Sequence, residues 1–363
     1  MSNQKKRIVF KLGEYFSGPG GIAYGGKNAV VETPNEIYSI QHEWANDYDK
    51  DTCDTFVKNI CPDKPESVHC GDVRDNGLIG KLTPIDGFAF GFPCNDFSAV
   101  GEQKGLDGDF GALYSYGIKV IKKFKPKFFL AENVGGLRSA NDGGALQVII
   151  QKLKDCGYNI VPHFYKFEQY GVPQARHRII IIGTRSDLNM TYKVPKPTHE
   201  KPVTSRSVLE QEMAEGTTNH DFVRQSKNVV ERLKHIKPGQ NAFNAELPEE
   251  LKLNVKGAKM SHIYKRLDPD KPAYTITGSG GGGTHVYHWK ENRALTNRER
   301  ARLQTFPDSF NFEGSRESVR KQIGMAVPPL AAQVIFESIL KCFAGVEYES
   351  IEPNLDLQYI LAA

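Results

Sequence analysis

The alternation of short apolar runs with helical patterns over the first 183 residues constrains the fold of this chain most. The β-rich runs lie at residues 8–12, 36–40, 67–70, 85–90, 127–131 and 179–182. Several are apolar throughout, which is typical of strands buried on both faces of a parallel sheet. Amphipathic patterns separate the runs, and that over 146–153 is the clearest. Repeated strand–helix units predict a doubly wound, mostly parallel α/β sheet.

The regular alternation ends after Gly183. Residues 186–285 are polar, with prolines early and a glycine-rich run over 278–283, and helical patterns return at 296–303 and 328–343. We therefore predict a first domain over 1–185 and a smaller, loop-rich domain over 186–285. A C-terminal segment over 286–346 is expected to return to the first domain, and 347–363 forms a tail.

Composition restricts the class of protein only loosely. Lys and Arg total 47 against 43 Asp and Glu, and a net charge of +4 permits a nucleic-acid partner without requiring one. The six cysteines form no CxxC pair and no zinc-type cluster, so we expect neither a metal nor disulfides. We also find no signal peptide and no apolar run of about 18 residues. These features predict a soluble cytoplasmic protein.

A glycine-rich turn follows the first predicted strand, with the sequence Glu-Tyr-Phe-Ser-Gly-Pro-Gly-Gly over 14–21. Gly18 and Gly20 allow a ligand to approach the backbone at a helix N-terminus. The pattern fits a nucleotide-like cofactor but does not separate NAD from S-adenosylmethionine, and a turn without any ligand stays open. Glu43 and Asp72 are each expected just past a strand, where they can accept ribose or adenine groups, with Trp44 as an aromatic neighbour.

Reactive side chains are predicted at the carboxyl edge of the sheet. Cys94 lies in a polar loop after a strand, where a lowered pKa favours a nucleophilic thiolate; a buried structural cysteine is the alternative. Glu132 ends an apolar strand, so desolvation is expected to raise its pKa; an acid that caps a helix or pairs with an arginine is the alternative. Arg176 and Arg178 alternate, and we expect them to share one face of a strand. A thiol, an acid and two guanidiniums suit nucleophilic attack on an electron-poor ring.

Five motifs occur in the order seen in DNA (cytosine-5) methyltransferases, and the chain resembles that family over about residues 8–345. The motifs are Gly-Phe-Pro-Cys at 91–94, Glu-Asn-Val at 132–134, Gln-x-Arg-x-Arg at 174–178, Arg-Glu-x-Ala-Arg-Leu-Gln-x-Phe-Pro at 298–307 and Gly-Met-Ala-Val-Pro-Pro at 324–329.

The resemblance implies an S-adenosylmethionine site, S-adenosylhomocysteine as product and no metal. The residues it assigns to cofactor binding are Phe16, Gly18, Gly20, Glu43, Trp44, Asp72, Pro93 and Leu113. It implies that a cytosine is flipped out of double-stranded DNA. Cys94 then matches the nucleophile that adds to C6, Glu132 the acid that holds N3, and Arg176 with Arg178 the cations that steady the ring. Asn133 and Asn95 support this site, and the glycine-rich loop 101–111 matches the mobile loop that closes on DNA.

Residues 186–285 correspond to the family's target-recognition domain, which contains two clusters of basic residues. The candidate DNA contacts are Ser98, Arg224, Lys227, Arg232, Lys259 and Arg266. The resemblance favours a monomeric bacterial, archaeal or viral modification enzyme with a separately encoded endonuclease.

Three positions depart from the family pattern. Met325 replaces the usual Asn, Phe110 replaces a frequent Arg, and Asn95 replaces the commoner Gln. Three other functions stay open at this stage: a nicotinamide-dependent dehydrogenase, a catalytically silent DNA-binding relative and an RNA methyltransferase.

Overall fold

A computed structural model describes residues 5–92, 113–138, 144–254, 261–278, 280 and 282–362. The strands are β1 (Lys6–Tyr15), β2 (Val30–Glu32), β3 (Glu36–Asp47), β4 (Val68–Cys70), β5 (Gly87–Gly91), β6 (Phe128–Val134), β7 (Tyr158–Lys166), β8 (Gln174–Ala175), β9 (His177–Arg185), β10 (Val194–Pro195), β11 (Ala273–Tyr274) and β12 (Ser350–Ile351). The α-helices are α1 (Gly21–Asn28), α2 (Lys50–Ile60), α3 (Leu78–Lys81), α4 (Tyr114–Phe124), α5 (Gly144–Lys154), α6 (Ser205–Leu209), α7 (Lys227–Lys234), α8 (Asn297–Leu303), α9 (Arg316–Met325), α10 (Pro329–Ala344) and α11 (Leu357–Ala362).

One large mixed sheet forms the centre of the fold, with strands in the order β2-β3-β1-β5-β6-β9-β7 and β4 paired to β3. The pairs β1–β3, β1–β5, β3–β4 and β5–β6 are parallel. β9 is inserted between β6 and β7 and runs antiparallel to both, and β2 is antiparallel to β3. The prediction of a doubly wound α/β fold is therefore confirmed, with an antiparallel edge that the apolar run at 179–182 did not reveal.

Aromatic side chains pack on both faces of the sheet. On one face Phe88, Phe90 and Phe129 belong to a large buried cluster that also includes apolar residues of α4 and α5. On the other, Phe10 and Phe128 contact Phe343 of α10 with ring centroids 4.7 and 5.9 Å apart. Burial on both faces explains why these strands read as continuous apolar runs.

The chain divides into two compact units. The first, the sheet unit, comprises Met1–Lys166, His177–Pro197 and Pro329–Ala363; the second unit comprises Phe167–Arg176 and Thr198–Pro328. The segment 286–346 is thus split at Pro328, so that α8 and α9 belong to the second unit and α10 to the sheet unit. The second unit has a small core of its own that includes Leu233, Ile236 and Tyr287.

The described residues contain one helical stretch, Arg316–Ala344, that is long and apolar enough by composition to cross a membrane. However, 72% of that window is buried inside the protein. Core helices commonly have this property.

The Phe129 ring of β6 packs closely over Gly183 of the neighbouring strand β9, and this contact gives a test of the fold. A Cβ atom added at Gly183 in β9 would lie 2.2 Å from the Phe129 ring, whereas Gly80 in α3 has open space. We expect Gly183→Ala to lower the free energy of unfolding by about 1–3 kcal/mol through overpacking. Gly80→Ala should leave it unchanged or slightly higher. Urea denaturation measures both, and equal midpoints for the two variants would contradict the described packing.

Candidate active site

Glu132 and Arg178 meet at the carboxyl edge of the sheet. Glu132 lies near the end of β6, and the antiparallel pairing brings the start of β9 alongside it, with Arg178 opposite Val134. The Arg178 Nε donates to the Glu132 Oε1 at 2.8 Å, and the two side chains are only 12% and 13% exposed. An acid and a cation predicted from separate motifs thus form one shielded ion pair.

Asn133 and Gly91 connect this pair to the end of the neighbouring strand. The buried Asn133 donates from Nδ2 to the Phe92 carbonyl at 3.1 Å, and its Oδ1 accepts from the Val134 N–H. Gly91 is in register with Glu132, and a Cβ atom there would lie 3.1 Å from the Glu132 Oε2. Glycine at this position therefore leaves room for the carboxylate beside the end of β5.

The predicted nucleophile lies outside the described residues. So do Pro93, Asn95, Ser98, Phe110, Lys259 and the loop 101–111. Cys94 follows Gly91 by three residues in the sequence, so the described end of β5 leads toward it.

Arg176 does not share a strand face with Arg178, and that expectation was wrong. It lies between β8 and β9, because its backbone N–H bonds to the Gln174 carbonyl and its carbonyl accepts from Phe167. Its buried guanidinium donates to the carbonyls of Ile276 and Met325 at 3.1 and 3.3 Å within the second unit. Arg178 is therefore the arginine that contacts Glu132. Met325 accepts the Arg176 hydrogen bond through its backbone oxygen. The replacement of the family's usual Asn by Met at this position does not remove that acceptor.

The glycine-rich turn after β1 has an unusual backbone. Phe16, Gly18 and Gly20 have φ angles of 54°, 56° and 97°, in the left-handed region that favours glycine. The Gly18 N–H donates to the Asp47 Oδ2 at 2.9 Å. Apart from the two chain neighbours of Gly18, no described residue has an atom within 4 Å of a Cβ placed there. The turn thus presents open backbone just before α1, as a ligand-binding turn requires.

Glu43 and Trp44 lie within β3 and not past its end, so the expectation that they follow the strand is wrong. Glu43 accepts from the Thr83 hydroxyl at 2.9 Å and pairs with Lys11. Trp44 is only 2% exposed, donates to the Thr83 carbonyl and packs against Tyr15. A ring held in the core in this way is unavailable to flank an adenine.

Asp47 and Tyr48 are an acid and an aromatic residue at the end of β3, the position at which Glu43 and Trp44 were expected. Asp47 is the last residue of β3 and accepts the N–H groups of Gly18 and Asp49; burial raises its pKa. Tyr48 follows it and is 65% exposed. The sequence contains two acid–aromatic pairs, Glu43-Trp44 and Asp47-Tyr48, four residues apart. The position at which β3 ends shows which of the two pairs lies at the edge of the sheet.

Two further predicted cofactor residues have different surroundings. Asp72 lies in the loop after β4 and accepts from the Arg74 guanidinium, which lowers the Asp72 pKa. Leu113 is buried in the core at the start of α4. The contacts described for Leu113 are thus those of a core residue.

Glu14 carries a feature that suits a cationic ligand. It is buried at the end of β1, two residues before Phe16, and neither carboxylate oxygen has a hydrogen-bond partner among the described residues. Burial raises its pKa to about 8. An unpartnered buried carboxyl next to an open glycine turn fits the ammonium group of S-adenosylmethionine. The described residues contain no cluster of His, Cys, Asp or Glu that could hold a metal ion.

The predicted DNA-binding cations of the second unit fall into two groups. Arg224 and Lys227 are exposed, and neither forms an ion pair within the described part of the chain. Arg232 is half-buried, with its Nε bonded to the Leu251 carbonyl. Arg266 is buried and donates to the carbonyls of Leu233, His288, Trp289 and Glu291. Its donors are already used within this unit, so the structure gives the predicted DNA contact no support.

The open glycine turn and the shielded acid–arginine pair both lie on an α/β fold with a mixed sheet, and comparisons with known proteins identify the family. Residues 10–341 match the family model described as C-5 cytosine-specific DNA methylase. The type II methyltransferase M.BbvI of Brevibacillus brevis is 55% identical, covering 98% of this chain and 97% of the relative. M.NgoFVII of Neisseria gonorrhoeae is 38% identical, covering 97% of this chain and 90% of the relative.

A solved structure supports the fold. A putative DNA modification methyltransferase encoded within an Escherichia coli prophage matches with a TM-score of 0.71 and 23% identity, covering 92% of this chain and 99% of that one. The chain belongs to the C-5 cytosine-specific DNA methylase family and is a DNA (cytosine-5-)-methyltransferase. A nicotinamide-dependent dehydrogenase is thereby excluded.

The corrected acid position makes a direct prediction about cofactor affinity. Because Asp47 lies beside Gly18 and Glu43 lies within β3, Asp47→Asn should weaken S-adenosylhomocysteine binding about tenfold, the effect of losing one charge-assisted hydrogen bond. The matched variant Glu43→Gln should change the affinity less than twofold. Isothermal titration calorimetry measures both, and a larger loss for Glu43→Gln would restore the original assignment.

Proposed function

We propose that the chain methylates C5 of a cytosine extruded from double-stranded DNA, with Cys94 forming a transient bond to C6. The observation that supports this most is the Glu132–Arg178 ion pair. It lies at the sheet edge where β5 ends, three residues before Cys94 in the sequence. An aromatic cytosine is a poor nucleophile at C5, so the reaction needs a nucleophile at C6 and a group to stabilise the displaced electrons. The sequence supplies Cys94 as the nucleophile, and the Glu132–Arg178 ion pair supplies the group that stabilises the displaced electrons.

The proposed reaction at the cytosine ring begins at C6. The Cys94 thiolate adds to C6, the C5–C6 double-bond electrons become available at C5, and Glu132 donates a proton to N3, which neutralises the charge that the ring gains. This proton returns to Glu132 when the C6–S bond breaks. C5 takes the electrophilic methyl group that bound S-adenosylmethionine would supply, and the S–CH3 bond would break to leave S-adenosylhomocysteine. The C5 proton then leaves to a base, the C6–S bond breaks, and the thiolate is regenerated. Extrusion of the base is required because C6 and N3 are buried in the duplex.

Arg178 has two tasks in this proposal. It fixes the orientation of the Glu132 carboxyl through the 2.8 Å contact, and its positive charge stabilises the electron-rich ring. Asn133 is a positioning residue, since it holds the Phe92 carbonyl immediately before Pro93. Arg176 acts in the second unit, where it joins the backbones at Ile276 and Met325.

The cofactor would be held by the turn at Phe16, Gly18 and Gly20. Asp47 provides a carboxylate suited to the ribose hydroxyls, and the exposed Tyr48 ring can cover the adenine. Asp72 provides an acceptor for the adenine amino group. Glu14 supplies a buried carboxyl for the ammonium end.

The second unit would bind and select the DNA sequence. Arg224 and Lys227 are exposed cations suited to phosphate contacts, whereas base discrimination requires side chains in the grooves. The names of both relatives are those of type II methyltransferases, and we propose that this chain likewise protects DNA in a restriction-modification system with a separate endonuclease. Such an enzyme would act in the cytoplasm.

Replacing the proposed nucleophile separates chemistry from binding. Cys94→Ser should reduce methyl transfer at least a thousandfold, because an alcohol is far less ionised than a thiol at neutral pH, while DNA affinity stays within about threefold. The exposed Cys70 at the end of β4 provides the matched control, and Cys70→Ser should retain full activity. Tritium transfer from labelled S-adenosylmethionine and fluorescence anisotropy measure the two properties. Substantial turnover by Cys94→Ser would refute the assignment.

A further inference from the structure

A cavity in the second unit is surrounded by cationic side chains. Its lining includes Arg300 of α8, Arg316 and Arg320 of α9, and His285. Arg316 is exposed at the rim, whereas Arg300 and Arg320 reach the interior. Asp221 also lines the cavity but forms no ion pair with these arginines among the described residues.

Arg300 is a buried cation without an acidic partner in the described part of the chain. Its side chain is 2% exposed, and its guanidinium has only two long contacts, to the Leu295 carbonyl at 3.5 Å and to the His285 Nδ1 at 3.4 Å. The neighbouring Arg302 instead pairs with Asp308 at 2.5 Å. Burial lowers the Arg300 pKa to about 10, so the group is still charged at neutral pH. A charge buried without a counterion is costly, which indicates that an anion belongs here.

Arg320 adds a second incompletely paired cation. Its Nε is buried and has no hydrogen-bond partner among the residues that the structure describes. Its Nη2 lies 3.4 Å from Glu317, but that acid is 85% exposed and the contact is long. Arg320 therefore has a buried donor without an acceptor among the described residues.

His285 and Gly280 complete the surroundings. The His285 Nδ1 faces the Arg300 guanidinium and must accept, so the ring is neutral with its proton on Nε2. A Cβ at Gly280 would lie 3.0 Å from the Arg320 Nε and 3.4 Å from the His285 Nδ1. Glycine thus keeps the space beside both side chains free.

We propose that this cavity binds one phosphate group between Arg300 and Arg320. Two guanidiniums whose N–H groups are incompletely bonded match the charge and the oxygen acceptors of a phosphate. The glycine at position 280 leaves space beside them that a side chain would narrow. The source is either the DNA backbone or a free phosphate ion. The DNA source rests on the proposal that the second unit binds DNA, whereas the phosphate site itself does not.

The test compares Arg320→Gln with Arg206→Gln, which removes the same charge from a surface ion pair with Asp270 in the same unit. The first measurement is the melting temperature as inorganic phosphate replaces chloride at constant ionic strength. Wild type and Arg206→Gln should gain stability equally, while Arg320→Gln should lose the specific part of the gain. Because the wild-type titration requires no variant, a folding defect in Arg320→Gln leaves the site testable, and Arg320→Lys should recover part of the gain.

The second measurement is DNA affinity as a function of salt. Loss of one backbone contact should lower the slope of log K against log salt by about 1 in Arg320→Gln and leave the Arg206→Gln slope unchanged. A phosphate-specific gain without a slope change supports the site and assigns it to free phosphate. If wild type shows no specific gain and Arg320→Gln retains the wild-type slope, the proposal is overturned. Methyl transfer at saturating DNA is followed separately, so a failure of the Cys94 mechanism is not confused with either result.

Discussion

The ion pair between Glu132 and Arg178 is the interaction on which the site depends. It exists because β9 runs antiparallel to β6, which brings the start of one strand to the carboxyl end of the other. A parallel strand in that position would have placed Arg178 at the opposite edge of the sheet. Because β9 is inserted antiparallel, Arg178 lies at the same sheet edge as Glu132. β5 ends at this edge too, three residues before Cys94 in the sequence.

The same edge organises the proposed cofactor site. β1 and β3 end side by side, so the open turn around Gly18 meets the carboxylate of Asp47 through a 2.9 Å hydrogen bond. Parallel strands collect their carboxyl ends in one place, which allows residues from distant motifs to act together. The buried Glu14 adds a carboxyl whose charge a cationic ligand would stabilise.

Much of the fold could be predicted from sequence because buried strands are apolar throughout, as at 127–131 and 179–182. The end of β3 could not, because the polar stretch around Gln41 and His42 reads as a loop, and this shifted the acid–aromatic pair by four residues. Arg176 was misplaced because spacing alone does not show that a chain leaves a strand between two arginines. The burial of Arg266 could not be predicted because a basic residue in a polar segment reads as exposed, whereas here backbone carbonyls surround it. Each error concerns an environment created by residues distant in sequence.

The central claim is that Cys94 forms a covalent bond to the target cytosine, and a trapped complex tests it most directly. In DNA that carries 5-fluorocytosine, fluorine replaces the proton that must leave C5, so the C6–S bond cannot be released after methyl transfer. We expect wild type to form a stable protein–DNA complex in the presence of S-adenosylmethionine, with mass spectrometry locating the adduct on Cys94. Attachment at another residue, or an active enzyme that methylates unmodified DNA yet forms no adduct, would contradict the account.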